Sequence, residues 1–492
     1  MRIIGNDPSV PRQEHAVASG TITNGAPVVV NTDGTVVGAT EAVSFSEGTA
    51  VQFSSQYDGG ITYDSTNNKI VIAWPDESNS AYGTAIVGTI DPSNNSVTFG
   101  SSAVFHSGSL YVKPNGLIHD PSNNKIVIAY TNRDNSNYGT AVVATISGTS
   151  ISFGTPVVFQ SEYVVETKLE YSPVAEKILF AWRQPSNDDC NAAVGTVSGN
   201  SVSFGSVAKF AETGSNVSLS YITTADKFCI SYRDNSGSYP AYPLEAIIAT
   251  ISGTSVSYGS ANQVTSTPGS ATALPVYPQN HYDTKNDKLI FIYSTSGGGG
   301  HAVVGTLSGT SLSFGSVVVF DSSSMSNLGS EFDENVGKVL IFYRDSSSGS
   351  NLRKFIIGTV SGTSISFNTK SGFGGNTASS TKFTTVYDSG AKRTVIAWDD
   401  ASDSENGYVT VFTVGGTAQY LTTENYIGIA RSGAASGAGA IIDTQGAIAD
   451  NLSGLTAGQS YFVQNDGTLG TTADSPSVFA GTAVSATKLI VK

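Results

Sequence analysis

One short string recurs along the chain and limits what it can become. It is found seven times with the same pattern: Lys69-Ile-Val-Ile-Ala-Trp74, Lys125-Ile-Val-Ile-Ala-Tyr130, Lys177-Ile-Leu-Phe-Ala-Trp182, Lys227-Phe-Cys-Ile-Ser-Tyr232, Lys288-Leu-Ile-Phe-Ile-Tyr293, Lys338-Val-Leu-Ile-Phe-Tyr343 and Arg393-Thr-Val-Ile-Ala-Trp398. Successive copies begin 50 to 61 residues apart, near the roughly 40–50 residues of a propeller blade. A unit of that size cannot bury its own apolar face and must stack on its neighbours.

Each copy resolves into four short strands separated by turn signals. The first ends in an aromatic or His before a turn, as in Ile61-Thr62-Tyr63-Asp64, Leu117-Ile118-His119-Asp120 and Glu331-Phe332-Asp333. The second is the apolar run itself, suited to burial on both faces. The third reads Ala85 to Ile90, echoed at Ala141 to Ile146 and Ala302 to Leu307, and a Ser-Gly-Thr-Ser turn leads to a fourth, Ser150 to Gly154, that alternates apolar with Ser. Such alternation marks a strand with one wet face. The seventh copy lacks its fourth strand, whereas Ala42 to Phe53 aligns with Ser311 to Phe320. The N-terminal segment is therefore expected to complete the last blade and remove the open edges. The expected fold class is all-β: a seven-bladed β-propeller over 41–416, inserted in a small β domain built from 1–40 and 417–492.

Composition agrees. Only 13% of the 492 residues are charged, against 53 Gly; a globular chain usually has about 25% charged residues. A net charge of −14 argues against a phosphate-backbone binder, so nucleic acid is not an expected partner. No apolar stretch approaches the roughly 18 residues of a membrane span, and Met1 to Asp7 lacks the apolar core of a signal peptide. A soluble chain without membrane insertion is expected. Cys190 and Cys229 are too few for a disulfide framework or a zinc site and read as small apolar strand residues.

The flanks share a pattern. Val28-Val29-Val30-Asn31-Thr32-Asp33-Gly34-Thr35-Val36 parallels Tyr461-Phe462-Val463-Gln464-Asn465-Asp466-Gly467-Thr468-Leu469, each a strand, an Asp-Gly turn and a strand. These flanks also carry a family resemblance. Leu421-Thr-Thr-Glu-Asn-Tyr-Ile-Gly-Ile-Ala430, Gly446-Ala-Ile448, Ser453 to Leu469 and Pro476 to Val491 resemble the C-terminal module of tail-fibre and other virion proteins of tailed bacteriophages, marine and cyanobacterial ones above all. The opening Ile4 to Gln13 is similar to their N-termini. The resemblance covers about the first 40 and last 75 residues. It implies a structural protein on the exterior of tail or head, with other virion proteins as partners, homo-oligomeric assembly, and attachment to host-surface polysaccharide through the displayed propeller. A capsid decoration or head-fibre protein without receptor binding is the alternative.

The aromatics that end the second strands, Trp74, Tyr130, Trp182, Tyr232, Tyr293, Tyr343 and Trp398, suit either a ring of sugar-stacking platforms or packing between blades. After them the repeats diverge into Arg133-Asp134, Arg183-Gln184, Arg233-Asp234, Arg344-Asp345 and Asp399-Asp400. The rim expected to bind ligand comprises Trp74, Arg133, Asp134, Trp182, Arg183, Tyr232, Arg233, Asp234, Tyr343, Arg344, Asp345, Trp398 and Asp399, groups suited to hydroxyl-rich ligands or, equally, to a solvated loop with local ion pairs. The five histidines have no metal-ligand spacing, and turns such as Asp64 to Asn68 lack the spaced carboxylates of an EF-hand; no metal or other cofactor is expected. A propeller glycosidase is the third functional reading. It needs two carboxylates at a fixed separation, yet acids such as Glu170 and Glu331 fall in different repeats without an evident partner, and Gly297-Gly-Gly-Gly300 reads as a loop tip. The expectation is of a chain that is not an enzyme.

Overall fold

The computed structural model describes residues 12–492 except 20–21, 32, 40–41, 238–241, 266–274, 296–297, 348–351, 375–381, 418–420, 423, 465–466 and 474–476. Ile4 to Pro11, Thr423, Asn465, Asp466 and Pro476 of the segments that carry the resemblance, and Gly297 of the glycine run, lie outside the described residues.

Among the described residues the chain is all-β apart from two single-turn 3-10 helices, Glu77–Asn79 and Arg133–Asn135. The apolar run of each repeat is the second strand of a four-stranded antiparallel path. In the first, Lys69–Asp76 lies between Gly60–Asp64 and Tyr82–Asp91, and Ser96–Phe99 is outermost. The same path occurs in all seven repeats among the described residues, the last consisting of Phe383–Asp388, Arg393–Asp400, Asn406–Thr417 and Ala42–Glu47. A short fifth strand also pairs with the third, as Val157–Tyr163 does with Tyr138–Ser147.

Local chemistry explains the pattern. Ile70, Val71, Ile72 and Ala73 are wholly buried because both faces of this strand are covered, and β-branched residues fit such a surface. In the second to sixth repeats the third and fourth strands join through two-residue turns that place Gly first, as at Gly148 with φ 62°; glycine adopts this left-handed conformation without a Cβ clash. At the end of the first strand, Asp64 Oδ1 accepts from Thr66 N and Asn67 N at 3.0 Å each. The turn therefore uses its carboxylate for its own backbone.

Neighbouring repeats share their cores. Trp182 and Phe180 pack with Val127 and Val143 of the preceding repeat, and Tyr343 with Ile290 and Ile292. Tyrosine hydroxyls at the ends of the first strands bond backwards along the series: Tyr171 Oη to Ser122 Oγ at 2.7 Å, and Tyr282 Oη to Thr224 Oγ1 at 2.7 Å. Gly390 N of the last repeat donates to Tyr63 Oη of the first at 3.1 Å.

Two compact units divide the chain, one formed from the two ends, up to Ser44 and from Gly415, the other running Phe45–Val414. The terminal unit holds two five-stranded sheets. One orders Gln13–Val17, Gly439–Asp443, Tyr426–Ala430, Pro27–Val30 and Val36–Gly38; the other orders Ile448–Ala449, Lys488–Val491, Val478–Ser485, Ser460–Val463 and Leu469–Gly470. A single core of Val29, Ile429, Tyr461, Val463, Val478 and Leu489 serves both sheets. The two similar hairpins close alike: Asn31 N donates to Thr35 O at 2.8 Å and Gln464 N to Thr468 O at 2.9 Å, with Gly34 and Gly467 at φ 81° and 78°.

Candidate functional site

The aromatics of the expected rim are interior residues. Trp74, Trp182, Tyr232, Tyr343 and Trp398 are at most 3% exposed, so none offers a ring face to a ligand. Trp74 packs with Val395 and Val409, Trp182 with Val127, and Tyr232 with Leu179 and Ala181, in each case across the junction to the adjacent repeat. Trp398 carries the Arg353 guanidinium 4.1 Å from its ring centroid. Of the two readings, packing between blades is the one the burial supports, and the placing of these aromatics in the ligand rim is corrected: the residue recurs because every junction needs a large apolar body.

The charged rim residues are engaged locally. Arg133 donates to Ser109 Oγ at 3.0 Å and lies over Tyr111, while Asp134 accepts from Ser109 N at 3.0 Å. Arg183 pairs with Asp188 and, at 3.7 Å, with Glu166. Arg233 Nε donates to Asn235 Oδ1 at 3.0 Å, and Asp234 accepts from Ser236 N at 2.9 Å. Asp345 holds Ser347 N at 3.0 Å, and Asp399, 1% exposed, accepts from Lys382 N at 2.7 Å. Arg344 is half-buried, its Nε without a hydrogen-bond partner among the described residues. These groups hold their own loops and do not converge on one cavity.

Convergence occurs instead at the first strands. A cavity of about 420 Å³ is lined by residues from the first strand of every repeat. The register defines its wall. The residue paired with the third position of each apolar run is Thr62, Ile118, Glu170, Ser220, His281, Glu331 and Val386 in chain order. All seven line the cavity. The next residue along is aromatic or His throughout, from Tyr63 and His119 to Phe332 and Tyr387, and these also line it. Scaffold positions thus stay constant while the wall positions vary.

No Lys or Arg is among the described lining residues, whereas Glu170, Glu331 and Glu334 are. Burial pushes Glu170 up to about 8. Burial also pushes Glu331 up to about 8, and the charge of Glu170 adds to the effect. The two carboxyls therefore sense each other although 161 residues separate them in the sequence. His281 is pushed down to about 4 by burial, and its Nε2 lies 2.8 Å from Ser330 Oγ, beside Glu331. Near neutral pH Glu170 and Glu331 are therefore largely protonated and His281 neutral, beside the hydroxyl groups of the wall. A second cavity of about 150 Å³ shares Asn115 and Thr385 with the first and is lined by Lys168. Burial lowers the Lys168 amine to about 8, and its Nζ donates to Pro114 O at 2.7 Å.

Along the sequence Glu170 and Glu331 read as unrelated acids and His281 as one scattered histidine among five. The signal that joins them is the register: laying the seven first strands side by side puts all three at one position.

No protein-family profile matches the chain and no curated protein matches it. Among solved structures it is similar to a protein from Lactobacillus plantarum, at 11% identity and TM-score 0.47, over 73% of this chain and 96% of that one. It is similar to Raptor from Chaetomium thermophilum at 9% identity and TM-score 0.48, covering 77% of this chain but 29% of Raptor. A periplasmic gluconolactonase from Pseudomonas aeruginosa matches at 10% identity and TM-score 0.47, over 74% of this chain and 96% of that one. The expectation of a chain that is not an enzyme is corrected on the chain's own cavity, which brings together two carboxyls, Glu170 and Glu331, that lie in different repeats. At this identity the likeness transfers no substrate.

Proposed function

We propose that the chain is a tail-fibre-like virion protein of a tailed bacteriophage that attaches to host-surface glycan, and that residues 45–414 close as a seven-bladed propeller whose central cavity takes the sugar. The closed ring is supported by contact between Phe383–Asp388 of the last repeat and Gly60–Asp64 of the first, and by the pairing of Ala42–Glu47 into the last sheet. The virion role rests on the resemblance of the terminal segments, whose unit is the part proposed to assemble with other virion proteins and with further copies.

The observation that carries the glycan reading is the cavity wall. It combines aromatic edges, hydroxyls and neutral carboxyls without a cation, which suits a neutral polyhydroxylated ligand better than an acidic one. Weak single sites would gain strength from several copies on one particle.

The test is binding of the full chain to a panel of marine and cyanobacterial cell-surface polysaccharides, beside Val386→Trp, which fills the cavity, and Arg233→Ala with Arg344→Ala, which strips the rim. The expected result is saturable binding, lost in the cavity variant and kept in the rim variant. Binding lost only in the rim variant would return the site to the loops. Binding to virus particles alone would favour a head-decoration role.

A further inference from the structure

We propose that the cavity cleaves the glycan it binds, with Glu331 as the general acid and Glu170 as the general base of a glycosidic hydrolysis. This rests on the glycan reading above and goes beyond it, since binding alone needs no carboxyl pair.

The argument begins with placement. Glu170 and Glu331 occupy one register position in the third and sixth repeats, so in a closed ring they face each other across the cavity. A sugar entering between them meets one carboxyl on each side, and glycoside hydrolysis uses such a pair flanking the scissile bond. Their roles are unequal. Both are pushed up to about 8, and Glu331, which also feels the charge of Glu170, is assigned the proton that an acid must hold. Glu170 is then the carboxylate of the singly protonated pair.

In the reaction Glu331 gives its proton to the glycosidic oxygen as the bond from that oxygen to the anomeric carbon breaks, and the bonding electrons stay with the departing oxygen. Water attacks the anomeric carbon while Glu170 takes its proton. One water is consumed, two hydroxyl-bearing sugars form, and proton exchange with solvent restores the pair. Ser330 fixes the strand beside the acid: its carbonyl accepts from Thr385 Oγ1 at 2.7 Å, and its hydroxyl meets His281.

The other titratable groups facing the pair are His281, held neutral by burial, and Glu334, raised by burial. His119 is pushed down by burial and lies 3.1 Å from Asp64. The tyrosines around the mouth, Tyr63, Tyr171, Tyr221, Tyr282 and Tyr387, are all raised, by burial first. None supplies a cation, so the carboxyl pair sets the pH response.

The experiment incubates the full chain with 4-nitrophenyl glycosides of the common hexoses and hexosamines and with the polysaccharides that bind it, tracking nitrophenol and new reducing ends across pH 5 to 10. Release of new reducing ends from polysaccharide should trace a bell that peaks on the alkaline side of neutrality, and Glu170→Gln and Glu331→Gln should each lower it by roughly 100-fold or more while still binding polysaccharide, with Glu331→Gln losing least on the nitrophenyl glycosides, whose leaving group needs no acid. Unchanged release in both variants would overturn the proposal, as would a wild-type profile that peaks near pH 5, a readout that requires no variant to fold. Saturable binding with no release from any substrate would overturn hydrolysis and leave the glycan reading standing. Neither binding nor release would overturn both.

Discussion

Arg393 Nε donates to the side-chain oxygen of Asn95 at 2.8 Å, although 298 residues separate the two in sequence. Asn95 also donates through Nδ2 to Thr413 Oγ1 at 2.9 Å, so one amide joins the first repeat to the last. It is 8% exposed and sits at φ 58°, a conformation Asn tolerates better than most residues. Asn95→Ala should lower unfolding free energy by about 1–3 kcal/mol, because Arg393 Nε and the Thr413 hydroxyl each lose a partner. Urea unfolding monitored by tryptophan fluorescence measures the change; a midpoint equal to wild type would show that the latch is idle.

The two cavity carboxyls impose a pH dependence of definite sign. Glu170 and Glu331 start from 4.5 and are held near 8 in the folded chain. Between those values the folded state keeps protons that the unfolded state has released. The stability they contribute is fully present below about pH 4.5 and lost as pH rises through about 8. Glu170→Gln combined with Glu331→Gln should therefore be more stable than wild type at pH 9, with the difference shrinking toward pH 5. Thermal midpoints at the two pH values provide the comparison.

His281 gives the opposite slope. Its imidazole is pushed down to about 4 from 6.5, so its contribution is present above pH 6.5 and lost as pH falls through about 4. A His281→Gln variant should lose less stability than wild type between pH 6 and pH 4, as read from denaturation midpoints.

Arg353 is 1% exposed, stacked on Trp398 and 3.3 Å from Asp400 Oδ2. Arg353→Ala removes the cation–π contact and leaves a cavity beside a carboxylate that has lost its partner. A loss of about 3–5 kcal/mol is expected from breaking such a pair. Arg353→Lys should recover only part of it, since an ammonium cannot stack as the planar group does.

Cys190 and Cys229 are buried and free, and burial raises both thiols well above their ordinary value. Neither should react with a thiol reagent at pH 8 in the folded chain, and both should react in guanidinium. Fast labelling of native protein would contradict this placement.

Much of the fold was legible because it is periodic. The run Lys69 to Trp74 announces a strand covered on both faces, and its recurrence announces units that stack. The matching of Ala42 to Phe53 with Ser311 to Phe320 pointed to the strand that Ala42–Glu47 forms in the last sheet. The site was less legible for the same reason. The variable loops beyond the aromatics draw attention to Arg233 and Arg344, yet the polarity of these loops answers local needs. Glu170, His281 and Glu331 carry no shared motif, since each is a departure from the repeat at one register position, and their common cavity exists only once the strands are laid side by side. Packing of Trp182 and Trp398 was one of the two readings their recurrence allowed, because an aromatic that packs against a neighbour and one that awaits a sugar are spelled alike.

The strand Ala42–Glu47 belongs to a sheet whose other members are Phe383–Asp388, Arg393–Asp400 and Asn406–Thr417. On the ribosome that strand emerges early and must wait while more than three hundred residues are made. At roughly 5–20 residues per second the delay is tens of seconds, during which its backbone donors and acceptors are exposed to any passing edge. Polar serines at Ser44 and Ser46 make this segment less sticky than the apolar runs behind it. The last sheet is thus the last to find all its strands, and one chain's early strand completing another's seventh sheet is the error that crowded synthesis would favour.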